Sequence, residues 1–150
     1  MNWIIDGYNV LFANDLGHDE GARESLLDAV RARFHGKGDT VTIVYDSRGS
    51  FGVQRGRSTG NVGEIFVGDA DRYIVSRIRQ SSRPRSFILV TDDVADIVSA
   101  VRPYRPRHVS SREFYAGLRR RANPPRPAPE KPDRESPDNI RRYLDLFGQG

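Results

Sequence analysis

Asp6, Asp46 and the pair Asp92-Asp93 stand in equivalent places along the chain. Trp3-Ile4-Ile5 leads to Asp6-Gly7, Val41-Thr42-Ile43-Val44-Tyr45 to Asp46, and Phe87-Ile88-Leu89-Val90-Thr91 to Asp92-Asp93. A short apolar run that stops at an acid is the pattern of a buried strand emptying into a turn. In an open parallel sheet, ligands bind beyond the carboxyl ends of the strands, so these acids would face one crevice. Carboxylates gathered there repel one another and stay ionised together only around a cation. The chain has no cysteine, and His18, His35 and His108 are scattered without ligand spacing. Oxygen donors alone suit Mg²⁺ or Mn²⁺. One or two such ions activate water and stabilise the attacking and leaving oxygens of a phosphodiester displacement. A single aspartate after a strand or at a helix start is more often a cap than a ligand. Repetition is what points to a site.

The elements that must position these acids follow from periodicity. Ala22, Leu26, Leu27, Ala29, Val30 and Phe34 share one face of a helix over 20–34, stopped by His35-Gly36-Lys37-Gly38-Asp39. Residues 47–63 carry five glycines with Arg48, Arg55 and Arg57, the composition of a loop. Residues 64–67 form a further strand, and 69–80 a helix with Ala70, Ile74 and Ile78 on one face. Strand 86–90 and a short helix from Asp93 to about Val101 come next. Ser110-Ser111-Arg112-Glu113 has capping-box spacing and opens a helix through Phe114, Leu118 and Ala122. Strands alternating with helices imply an α/β fold: a three-layer sandwich around a mostly parallel sheet of four or more strands.

Residues 1–122 make up the expected domain. From Asn123 to Ser136 the proline-rich run predicts an extended linker. Ser136-Pro137-Asp138 then starts a helix over 137–150, whose Ile140, Tyr143, Leu144 and Phe147 form an apolar stripe. A helix this short must dock to persist, and packing on its own domain is the favoured fate.

The segment IIDGYNVL, the YD after the second run, GDADRYI and the TDD triplet, in that order, resemble the NYN domains. These are relatives of the PIN-like nucleases, and the likeness is to their YacP/Rae1-like branch over most of residues 2 to about 122. The resemblance implies a PIN-like, Rossmann-like fold, a divalent metal held by acids, and endoribonuclease activity on ribosome-associated mRNA. Asp6 matches the acid of the first strand and Asn9 the motif asparagine. Asp46 matches the second-strand acid, Asp71 the acid of the helix-opening Ala-Asp pattern, and Asp92 the acid after the fourth strand. Asp6, Asp71 and Asp92 are then the expected metal ligands, with Asp46 an outer member. Asp69 and Asp93 are extra acids that suit helix caps, and Asp93 is also a possible ligand beside Asp92. Asn9 can orient a ligand without adding charge. Tyr8 either joins the core or stacks on a base.

Net charge is +4, and apart from Lys37 and Lys131 every basic residue is arginine. Arginine's planar fork suits phosphates and stacks on bases, although codon bias explains the usage equally well. Arg48, Arg55 and Arg57, following the Asp46 strand, are the candidate RNA contacts. Arg119-Arg120-Arg121 is better explained as a solvated helix end. No run approaches the roughly 20 apolar residues of a membrane span, and no signal peptide opens the chain, so a cytoplasmic protein is expected. A haloacid-dehalogenase-like phosphatase needs a second aspartate where Tyr8 stands. A receiver domain needs paired early acids and a late sheet lysine, both absent. The remaining alternative is a non-catalytic RNA- or ribosome-binding PIN-like domain. Oligomeric state is not encoded in any feature of the sequence.

Overall fold

The structure, a computed structural model, describes residues 1–47 and 55–122. The expected linker over 123–136 and helix over 137–150 lie outside the described residues. Strand β1 (Asn2–Asp6) leads into α1 (Gly7–Ala13) and α2 (Glu20–Phe34), then β2 (Thr40–Asp46). A hairpin of β3 (Arg55–Thr59) and β4 (Val62–Val67) precedes α3 (Ala70–Gln80) and β5 (Phe87–Val90). A wide π turn (Val94–Val98) continues into the single turn α4 (Ser99–Val101), followed by β6 (Arg107–Val109) and α5 (Ser111–Ala122). The six strands form one sheet in the order β3-β4-β2-β1-β5-β6, parallel except for β3 against β4.

Alternation along β1 divides the core. Ile5 faces a cluster with Val10, Leu11, Leu27, Val30, Phe34, Ile43, Phe114 and Leu118, which lies under α1, α2 and α5. Ile4 faces the opposite cluster, with Val44, Ile74, Ile78, Leu89, Ile97 and Val101, under α3 and the 94–101 segment. Successive side chains of a strand leave on opposite faces, so both layers are anchored by adjacent isoleucines. Three layers around a mostly parallel sheet are therefore formed as the periodicity predicts. No helix of the described residues is long and apolar enough to cross a membrane.

The structure departs from the sequence reading in three places. Asp6-Gly7 opens helix α1 directly rather than a turn. Gly7 is needed there for space, since a Cβ would meet the Tyr45 ring, 2.7 Å from Cδ1. Arg55–Thr59 of the expected loop over 47–63 is strand β3, which pairs Arg57 with Glu64 and turns at Gly60 in the left-handed region, φ 62°. Its sequence RGRST lacks apolar alternation because it is an edge strand, held by backbone bonds on one side. Strand β6, also at an edge, is three residues long and was equally silent.

Candidate metal centre

Chain order reverses at β1. From β1 the chain moves outward through β2 to β4 and β3, then α3 carries it back across to β5 on the other side of β1. Such a switch point opens a crevice at the carboxyl ends of the two central strands. The cavity lies there, about 780 Å³ in volume. Asp6, Asp46, Asp71 and Asp93 line it, with Asn9, Ser47 and Ala70 among them and Tyr8, Phe12, His18, Arg23 and Phe66 completing the wall.

Asp6 ends β1 and is 9 % exposed. Its Oδ2 accepts the Thr91 hydroxyl at 3.1 Å. Burial pushes its carboxyl up from 3.8 to about 6; the Thr91 bond opposes this, and the charges of Asp71 and Asp93 add to it. Asp71, in the first turn of α3, is also raised, first by burial and then by Asp93, Asp69, Asp96 and Asp46. Two neighbouring acids held above the ordinary range mark a site that concentrates negative charge.

Asp71, Asp93 and Asp96 each bring a carboxylate oxygen within 4.8 Å of the others. The donor set consists of hard oxygens, which fits Mg²⁺ or Mn²⁺. Asp96 is absent from the expectations above. Its signal was the Asp93–Asp96 spacing, one helical turn apart beside the TDD triplet. Asp93 Oδ1 caps the π turn by accepting the Asp96 amide at 2.9 Å, as expected of a helix cap, and the side chain lines the cavity. Asp69 is a cap, accepting the Arg72 amide at 3.1 Å.

Asp92 is placed differently from its expected ligand position. It is not among the lining residues. Its Oδ1 accepts the Ser111 amide at 2.8 Å, at the start of α5, where an acid complements the helix dipole. Adjacent residues leaving a strand point apart, so only one of Asp92 and Asp93 can face the crevice directly. Asn9 lines the cavity, and its Oδ1 accepts the Asp92 amide at 2.8 Å and the buried Ser111 hydroxyl at 2.6 Å. It ties α1 to the end of β5 and the start of α5.

Of the three candidate RNA contacts, Arg48 lies outside the described residues, as does the side chain of Arg55. Arg57 is engaged within the fold. Its guanidinium pairs with Glu24 and, at 3.1 Å, with Glu64, which is 5 % exposed. The sequence reading of Arg57 as a phosphate contact treated 47–63 as a loop; strand β3 instead fixes it opposite Glu64. Tyr8 packs against the core, 4.8 Å from Tyr45, and also lines the cavity.

Comparison with known proteins places this geometry. The family model described as the YacP-like NYN domain matches residues 3–145. A crystal structure of Rae1 (YacP) from Bacillus subtilis, the W164L mutant, aligns with a TM-score of 0.63 at 21 % identity, covering 81 % of this chain and 76 % of that one. A second Rae1 (YacP) crystal structure from Bacillus subtilis aligns with a TM-score of 0.59 at 18 % identity, over 99 % of this chain and 83 % of that one. At such identities the two structures speak for the fold. No curated protein matches the sequence.

Proposed function

This chain belongs to the YacP-like NYN domain family, a family of PIN-like nucleases, and on that premise we propose that it is a metal-dependent endoribonuclease hydrolysing RNA phosphodiester bonds in the cytoplasm. The observation that carries the proposal is the convergence of Asp6, Asp46, Asp71 and Asp93, from four separate segments, on one cavity. Acids that repel one another cost stability unless a cation relieves them, and a ligand that binds only the folded state returns it. Asp71, Asp93 and Asp96 would hold Mg²⁺ or Mn²⁺, with Asp6 beside them and Asp46 further out. The bound ion would lower the pKa of a ligated water and stabilise charge on the phosphoryl oxygens.

The chain's own groups supply orientation. Thr91 fixes the Asp6 carboxylate, and its hydroxyl also accepts the Asp93 amide at 3.0 Å, so the two acids share one anchor. Asn9 and Asp92 act one layer behind, locking α1, β5 and α5 so that the acids keep their spacing.

The deciding experiment compares wild type with Asp6→Asn and Asp93→Asn on naked RNA and on translating ribosomes, with and without Mg²⁺. Cleavage that requires metal and both acids supports the proposal, and the preferred arm identifies how the substrate is presented. Cleavage surviving both substitutions overturns it. RNA or ribosomes bound but never cut would establish the non-catalytic binder instead.

A further inference from the structure

The cavity has two chemically opposite walls. The acids occupy one; the other is aromatic and basic. Tyr8 and Phe12 are four residues apart on α1, which places them on one helix face, with ring centroids 6.1 Å apart and planes 23° apart. Phe12 is 59 % exposed, a large apolar ring left in water beside a charged cavity. His18 approaches it, ring centroids 5.9 Å apart. Across the cavity wall, the Arg23 guanidinium lies 5.6 Å from the Phe66 ring centroid. Arg23 also donates to the Tyr8 hydroxyl at 3.3 Å and to the His18 carbonyl at 3.0 Å, bracing the wall from α2.

An acidic metal centre would address a phosphate but has no means of gripping a base. Exposed aromatic faces with a neighbouring guanidinium do, because every base has a π-face and stacking tolerates sequence. A cavity of about 780 Å³ leaves room for a nucleobase beside the acids. Phe12 belongs to neither buried cluster, so the core does not fix its ring at the cavity.

We infer that Phe12, with Tyr8, His18, Phe66 and Arg23, forms a nucleobase subsite that stacks an unpaired base of the RNA next to the phosphate addressed by the acids. This assignment rests on the nuclease reading and adds the element that holds single-stranded substrate. It makes Phe12 a binding residue whose contribution depends on a base and not on phosphate charge.

The test titrates a short fluorescein-labelled single-stranded RNA with wild type, Phe12→Ala and Phe12→Trp in EDTA, and repeats the series with a fully abasic oligonucleotide. Steady-state cleavage in Mg²⁺ is measured alongside. Phe12→Ala should weaken binding of the RNA about tenfold, the scale of one lost stacking contact. Phe12→Trp should restore it, and neither substitution should alter binding of the abasic chain. The loss in cleavage should appear in KM more than in kcat. Equal binding by wild type and Phe12→Ala, or the same loss on the abasic chain, overturns the subsite while leaving the nuclease reading intact if wild type still cleaves. Wild type that neither binds nor cleaves RNA overturns both.

Discussion

The Thr91 hydroxyl donates to Asp6 Oδ2 at 3.1 Å, joining the end of the first strand to the residue after the fifth. Thr91 is wholly buried, and its oxygen receives the Asp93 amide on the other side. Thr91→Val keeps the shape and removes both bonds. It should destabilise the protein by roughly 1–3 kcal/mol, the cost of leaving a buried polar group unmet, and move the acid limb of any cleavage profile to higher pH. Thr91→Ser should recover most of both. Urea denaturation and a pH–rate profile would check this, and an unmoved profile would detach Thr91 from Asp6.

The raised carboxyl of Asp6 has a definite sign in stability. The folded protein binds this proton more tightly than the unfolded chain, so the stabilisation from protonation is whole below pH 3.8 and is lost as pH rises through about 6. The penalty above that window is about 3 kcal/mol. Metal-free wild type should lose stability across this range, with Asp71 acting in the same direction. Asp6→Asn should flatten the dependence and be the more stable protein at neutral pH. Urea midpoints measured from pH 4 to 7 decide; parallel curves for the two proteins would contradict the assignment.

Asp92 and Asp93 should separate cleanly. Asp93→Asn should abolish Mn²⁺ binding in calorimetry and the accompanying rise in Tm. Asp92→Asn should retain metal binding while costing roughly 0.3–1 kcal/mol, since an acceptor for the Ser111 amide remains and only the charge at the α5 N-terminus is lost. The reverse pattern would return the ligand role to Asp92.

Arg57→Ala strands the buried Glu64 without its partner, so stability should fall. The salt dependence of RNA binding should not change, because this guanidinium is already paired with two carboxylates. A slope flattened by about one would instead restore Arg57 as a phosphate contact.

How much of this was legible in the sequence depends on burial. The strands ending at Asp6, Asp46 and Val90 announce themselves because both faces are covered, and α2 and α3 because one face is. Edge strands β3 and β6 bury little and left no apolar signature. Of the acids that line the cavity, Asp6 and Asp46 were singled out by their places at strand ends and Asp71 by the resemblance. The choice between Asp92 and Asp93 was not readable, since it turns on which of two adjacent side chains leaves the strand toward α5, and Asp92 is settled there by the Ser111 amide. The ion pairs of Arg57 were not readable for a related reason: Glu24 on α2 and Glu64 across the hairpin are remote from it in sequence.

The place of β1 in the middle of the sheet bears on how the molecule is made. Its neighbours are β2, which follows after the two helices α1 and α2, and β5, which begins at Phe87. While the chain emerges from its own synthesis, the first strand must wait with one edge bare until more than half of the protein has appeared. Pairings this distant slow the search for the native state and leave hydrophobic edges open in the meantime. The same crossing that builds the cavity thus makes its charge cluster a late event: no partial chain ending before Phe87 can assemble it, because Asp93 and Asp96 are still to come.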